Sequence, residues 1–356
     1  MNKSFIKSAA VAAALTIALT GCAANEGTGT STLTGTLNGA GASSMGSAQE
    51  AWIAEYQTSN TGVNVNYDPT GSGAGREAFF SGAVNFAGSD SSLKEEELAM
   101  TSSNCAPTSE LFEVPVYVSP IAVIVNVEGV SEINLSPATI AGIFKGTIKK
   151  WNDAAIVAEN PGVTLPAAAI TAVHRSDDSG TTKNFSDYLS KTAGSIWDGE
   201  VSDVFPYQAG EGAKGTSGVV DAVKNGKNTI GYADASKAGD LTTAKLKVGE
   251  NWVAYSAEAA AAVVEASPRE AGRSATDMAI KLDRASTTAG TYPLVLLSYA
   301  IGCTEYADAE VGKLVNSYLS YIASEAGQAS AQKNAGSAPL SAAIRDEALE
   351  IIKNIK

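Results

Sequence analysis

The sequence predicts an α/β protein of two lobes. Two patterns point to it. Apolar, strand-like runs pass repeatedly through Gly and Ser/Thr turns into helix-like runs, around residues 33–56, 63–81, 86–100 and 168–189, which is the alternation of an open α/β sheet. Two long apolar stretches, 111–127 and 292–301, read as buried strands that carry the chain from one lobe to the other and back. The 356 residues suffice for two domains.

In chain order, residues 33–39 alternate as a short strand, and the turn Gly39-Ala40-Gly41-Ala42-Ser43-Ser44 leads into an amphipathic helix over 48–56. A strand over 63–67 is followed by the loop Thr70-Gly71-Ser72-Gly73 and a helix from Arg76. Phe86-Ala87-Gly88 forms a third strand ending in Ser89-Asp90-Ser91-Ser92, before an exposed charged helix over 94–100. Ser136-Pro137 opens a helix running to about Phe144, with Ser as cap and Pro at the first position. A short helix ends near Asn160. The strand 168–173 leads into His174-Arg175-Ser176-Asp177-Asp178-Ser179-Gly180-Thr181-Thr182 and a helix over 183–189. A helix from Gly215 to about Lys224, a strand over 229–232 and an Ala-rich helix over 257–266 follow, and helices over 311–323, 328–333 and 342–355 close the chain.

The formal net charge is −13, so no basic stripe exists to neutralise nucleic-acid phosphates, and any anion must be held by local donors rather than by the overall field. Lys3, Lys7 and the apolar run 9–19 read as a signal peptide over 1–21, too short to span a bilayer stably. It ends in Leu19-Thr20-Gly21-Cys22, which resembles a bacterial lipobox, so Cys22 is the expected site of acylation, followed by a Gly/Thr/Ser/Asn-rich tether to residue 32. An exported chain then keeps Cys105 and Cys303, and a disulfide between them is expected. The single histidine, His174, cannot build a zinc site with so few thiols.

Residues 174–182 concentrate the chemistry. Ser179, Gly180 and Thr181 fall at a helix start, where backbone N–H groups lack intrahelical acceptors and the helix dipole is positive. With Arg175 beside them they form a receptacle for a tetrahedral oxyanion; the plainer reading is a Ser/Thr cap next to a surface Arg. Ser43, Ser44 and Ser72 occupy equivalent junctions, and ligands in open α/β sheets sit beyond the carboxyl ends of strands. Asp90 is the odd member, since a carboxylate repels an anion unless the anion carries a proton to donate. Monohydrogen phosphate has one and sulfate has none, so Asp90 would admit the first and reject the second; the alternative for Asp90 is a helix N-cap. No Ser lies in a Gly-x-Ser-x-Gly elbow. The loop at 71–75 lacks the Gly-Lys-Ser/Thr end of a P-loop. Alternation points His174 away from Arg175, a structural role. No catalytic residue, metal or cofactor is expected.

Together these residues resemble the phosphate-binding lipoprotein of the phosphate ABC importer (PstS type), over roughly 33–356. The motifs are 39–44, Gly71-Ser72-Gly73, 84–90, 146–153, 174–181 and Gly231-Tyr232. The resemblance implies a two-lobed periplasmic-binding-protein type II fold that closes by a hinge on phosphate. Lobe I would be 33–117 with 293–356, and lobe II 118–292. The phosphate ligands would be Ser43, Ser44, Ser72, Asp90, Arg175, Ser179, Gly180 and Thr181, with the backbone N–H of Ser44 expected to matter more than its hydroxyl. Arg175 is also placed to pair with Asp90. Asp178 stands where relatives carry Gly, which tolerates φ > 0 more readily. The implied protein is a monomeric, non-enzymatic receptor, lipid-anchored on the extracytoplasmic face of the cell membrane, that serves the permease and ATPase subunits of the importer. The alternatives are a carrier of another tetrahedral oxyanion (sulfate, molybdate, arsenate) and a secreted phosphatase.

Overall fold

The computed structural model describes residues 33–356; the signal peptide, Cys22 and the tether lie outside them. The chain runs β1 (Gly35–Gly41), a 3₁₀ turn (Ser43–Met45), α1 (Gly46–Ser59), β2 (Val63–Asp68), α2 (Ser72–Phe80), β3 (Phe86–Ser89), α3 (Glu95–Leu98) and β4 (Leu111–Asn126). There follow β5 (Ile133–Leu135), α4 (Pro137–Lys145), α5 (Ala154–Glu159), β6 (Thr171–Arg175), α6 (Gly180–Thr192), β7 (Glu211–Ala213), α7 (Gly215–Asn225) and β8 (Thr229–Asp234). The last part comprises β9 (Thr242–Val248), β10 (Asn251–Val253), α8 (Ala257–Ala266), β11 (Val295–Cys303), α9 (Ala309–Ala323), α10 (Glu325–Ala335) and α11 (Ala342–Ile352).

Strand order is β2-β1-β3-β11-β4-β8-β6-β7, with β9 also on β4 and carrying β5 and β10. The long strand β4 is shared. Its first part pairs antiparallel with β11, from Leu111↔Cys303 to Pro120↔Val295. Its second part pairs antiparallel with β8, from Ile121↔Asp234 to Asn126↔Thr229. One sheet region therefore gathers β1, β2, β3 and β11, and a second gathers β6, β7, β8 and β9. The two expected crossings are these strands, β4 on the way out and β11 on the way back. Both are buried along almost their whole length, as expected of strands covered on both faces.

Aromatic packing fixes the helices on each region. Trp52, Phe79, Phe86, Phe112 and Tyr318 fill the first, and Trp151, Phe144, Phe185, Trp197 and Tyr232 the second, all buried. Each such side chain contributes on the order of 2–3 kcal/mol by leaving water. Ser136 caps α4 by accepting from Thr139 N, and Pro137 opens that helix, as the sequence predicts. Cys105 and Cys303 are bonded. The strands β5, β7, β9 and β10 were not expected from the sequence.

Glu113, on β4, is fully buried, and its Oε1 accepts from Leu93 N at 2.9 Å. The nearest cation, Arg273, stands 4.0 Å from Oε2. Burial, helped by Asp277, pushes this carboxyl well above its ordinary range. The folded state thus binds the proton more tightly than the unfolded state does. The group favours folding at low pH, and that contribution is lost as pH climbs from the ordinary carboxylate range to the raised value. Glu113→Gln keeps an acceptor for Leu93 and removes the buried charge. A calorimetric scan at pH 8 is expected to find a Tm roughly 2–4 °C higher, the gain fading toward pH 4; a lower Tm at pH 8 would show that the charge on Arg273 needs its partner.

Candidate binding site

The strands β1, β2 and β3 run parallel, so the turns after them meet at one end of their sheet region. The turn after β6 faces them from the other region. Asp90, immediately after β3, is where they join. Its N–H donates to Ser72 Oγ at the start of α2, at 3.1 Å. Its carbonyl accepts from Asn184 Nδ2 of α6 at 2.7 Å. Its carboxylate accepts from Ser44 Oγ at 2.7 and 2.8 Å, from Ser298 Oγ of β11 at 2.7 Å and from Thr181 Oγ1 of α6 at 2.9 Å. Burial raises the pKa of this carboxyl, against the opposing pull of the three hydroxyls and the more distant Arg175.

Three expectations change here. Arg175 does not pair with Asp90; its Nε and Nη2 grip Asp177 at 2.7 and 2.5 Å. Asp177 also accepts from Gly215 N at 3.0 Å. Burial would raise the Asp177 carboxyl, but Arg175 and the Gly215 N–H outweigh it and hold the carboxyl below its usual range. The Ser44 hydroxyl, expected to matter less than its backbone N–H, binds Asp90 directly. Asp90 caps no helix, since α3 begins after Lys94.

Asp178 keeps an ordinary φ, because among the described residues the one non-Gly residue at positive φ is Asn228. The loop therefore needs no glycine at 178. The glycine that matters lies opposite, at Gly71, with φ +112° and an added Cβ 2.7 Å from Asp177 Oδ2. Its bareness lets the Arg175–Asp177 pair approach the start of α2.

Ser179 caps α6, its Oγ accepting from Thr182 N at 3.2 Å, which is the plain capping role. Gly180 and Thr181 form the first turn of the helix, with their N–H groups at its positive end. Behind them Tyr232 fixes the strand-to-helix turn. Its hydroxyl lies 2.7 Å from Thr182 Oγ1 and 3.4 Å from Arg175 N, and its ring stacks on Phe185 at 4.1 Å. His174 stacks on Phe205 at 3.9 Å, and burial lowers its pKa, in keeping with a structural role. Ser43 Oγ lies 3.0 Å from Thr216 Oγ1 of α7 and accepts from Thr216 N at 3.1 Å.

The site therefore assembles Ser43, Ser44, Ser72, Asp90, Ser179, Gly180 and Thr181, all buried, with Arg175 buried beside them. Sequence reasoning missed Ser298, Thr216 and Asn184. Ser298 had a signal, as the one hydroxyl inside the apolar run 294–297 and 299–301 apart from Tyr299. A register shift at Ser298/Tyr299 accompanies it, the kind of irregularity that re-aims a side chain next to a site. Among the described residues no group of three or more His, Cys, Asp or Glu could hold a metal ion.

A family model described as a PBP superfamily domain matches residues 26–326. "Phosphate-binding protein PstS 3" of Mycobacterium leprae is 36% identical over 293 residues, 80% of this chain and 78% of the relative. The chain belongs to the PstS family. "Phosphate-binding protein PstS 2" of Mycobacterium tuberculosis is 32% identical over 326 residues, 86% of this chain and 87% of that protein. The PstS fold recurs in solved structures. A high-affinity periplasmic phosphate-binding protein (PfluDING) bound with phosphate superposes with a TM-score of 0.71 at 24% identity, covering 88% of this chain and 92% of its own. A phosphate-binding protein from Stenotrophomonas maltophilia gives 0.69 at 19% identity, covering 89% and 94%. These two likenesses carry the two-lobed fold. Among the described residues no helix is long and apolar enough to cross a membrane.

Proposed function

We propose that this PstS-family chain captures inorganic phosphate between its lobes and delivers it to an ABC importer on the extracytoplasmic side. One observation carries the reading: Asp90 is a buried carboxylate whose direct partners are hydroxyls, with Arg175 committed to Asp177. A fully ionised tetrahedral anion placed against Asp90 would meet an acceptor with nothing to give it. Monohydrogen phosphate donates its own proton there. Its other oxygens take N–H groups from the starts of α2 and α6, the hydroxyls of Ser43, Ser72, Ser179 and Thr181, and Arg175 Nη1. Ser44 and Thr181 can each turn their hydroxyl from Asp90 toward the ligand.

In this reading lobe I is 33–117 with 293–356 and lobe II is 118–292, with the hinge where β4 passes from β11 to β8. Cys22 carries the lipid that holds a monomer at the membrane, within reach of the permease and ATPase subunits. The relatives' names and the identities above support the carrier role; the lipobox supports the anchor. Calorimetric titration of the mature protein with phosphate, arsenate and sulfate tests the specificity. Phosphate and arsenate are expected to bind, and sulfate to give no heat of binding at the same concentrations. Sulfate binding as tight as phosphate would remove the role given to Asp90.

A further inference from the structure

We propose that Asp203, paired with Arg76, is a latch that holds the two lobes closed and sets how long the ligand stays. The inference rests on the phosphate-capture reading and adds to it a positioning residue outside the ligand set.

Asp203 lies in the segment between α6 and β7, on the side of the second sheet region, yet its carboxylate is spent on the first. Oδ2 accepts from Arg76 Nη2 of α2 at 2.7 Å, and Oδ1 accepts from Ser91 Oγ at 2.6 Å. Arg76 reaches further into the same region, donating from Nη1 to Ser89 Oγ at 2.9 Å and from Nε to Glu97 Oε1 at 2.9 Å. Ser89 and Ser91 are the chain neighbours of Asp90. The carbonyl of Asp203 accepts from Ser179 N at 2.9 Å. A single residue thus ties the cap of α6 to the segment that carries Asp90.

Both charged side chains are almost fully buried, Arg76 at 2% and Asp203 at 4% exposure. Burial would raise the Asp203 carboxyl, but Arg76, Ser91 and Lys183 outweigh it and hold the carboxyl below its usual range, so it is ionised at neutral pH. The next residue, Val204, is 57% exposed, so the pair sits just under the rim of the cleft. When the lobes part, Arg76 keeps Glu97 while Asp203 turns to water. The pair therefore adds to the closed state alone. Neutralising Arg76 leaves the Asp203 charge buried on closure with the Ser91 hydroxyl as its direct partner, and neutralising Asp203 leaves the buried Arg76 with Glu97 alone, a penalty that appears mainly in the dissociation rate.

Stopped-flow release of phosphate from the mature wild type, Asp203→Asn, Arg76→Gln and the double variant tests the latch. Each single variant is expected to release phosphate about 10–100 times faster, with association within about threefold of wild type. The ligand-free melting temperature of Asp203→Asn is expected to change little, while that of Arg76→Gln falls because it also loses Ser89 and Glu97 within its own lobe. The double variant is expected to be no faster than the quicker single one, the mark of a coupled pair. An unchanged release rate in Asp203→Asn, or fully additive effects, would overturn the latch while leaving the carrier reading intact. Should the wild type bind no phosphate, the carrier reading falls, and the latch is read instead from small-angle scattering of ligand-free protein. Asp203→Asn is then expected to have the larger radius of gyration, and an equal radius sinks the latch as well.

Discussion

Replacing Asp90 by Asn is expected to open the site to sulfate. The side chain keeps its size and one acceptor oxygen, and it gains an N–H₂ group that can donate where the carboxylate could only accept. The penalty that excludes a protonless anion disappears with it. An unmet buried acceptor costs on the order of 1–3 kcal/mol, and more when charged, so sulfate affinity is expected to rise by roughly 10- to 100-fold or more. Phosphate is expected to remain bound, since losing its proton acceptor is offset by losing the repulsion of a buried charge. Parallel titrations of both anions into wild type and variant decide the matter. If sulfate remains excluded from Asp90→Asn, selectivity resides elsewhere, and the hydroxyls that meet Asp90 become the next suspects.

A single methyl group at Gly180 is expected to abolish tight binding. An added Cβ there would stand 2.7 Å from both Asp90 Cβ and Ser72 Oγ, and 2.8 Å from Ser91 Oγ. These are atoms of the opposite side of the cleft, so the clash arises on closure. Ala is a better helix residue than Gly, so the open protein should not suffer. Gly180→Ala is expected to weaken phosphate binding by about 100-fold or more, on the scale of 3 kcal/mol, with an unaltered ligand-free melting temperature. Gly46→Ala is the control, because a Cβ at that helix start meets nothing within 4 Å. Wild-type affinity in Gly180→Ala would mean that phosphate binds without the close approach of α6 to Asp90.

What the sequence discloses and what it hides divides along a physical line. Features set by neighbouring residues were legible. Ser136 and Pro137 open α4, and the Ala-rich run predicted over 257–266 is α8 residue for residue. The Gly and Ser/Thr junctions pointed to Ser43, Ser72 and Thr181 because a strand running into a helix start is a local pattern, and Asp90 stood out as the acid at the end of a strand. Features set by folding across long stretches were not. Arg76 looks like any helix residue until Asp203, 127 positions away, reaches it. Ser298 meets Asp90 across 208 positions. The pairing of Arg175 followed the shortest route, to Asp177 two residues on, where the sequence had suggested a longer one. Strand β9 escaped notice because its alternation is filled with Thr and Lys in place of large apolar side chains.

The position of β11 also governs the order in which this molecule can be put together. β11 fills the slot between β3 and β4, although nearly 170 residues separate Asn126 from Val295. A chain emerging from its N-terminus first can form β1, β2 and β3, but their sheet stays split from β4 until residue 303 is free. The whole of the second region has by then been synthesised and can already have folded. Only at that moment do Cys105 and Cys303, 198 residues apart, come together, so their bond seals an assembly whose middle was finished before its beginning.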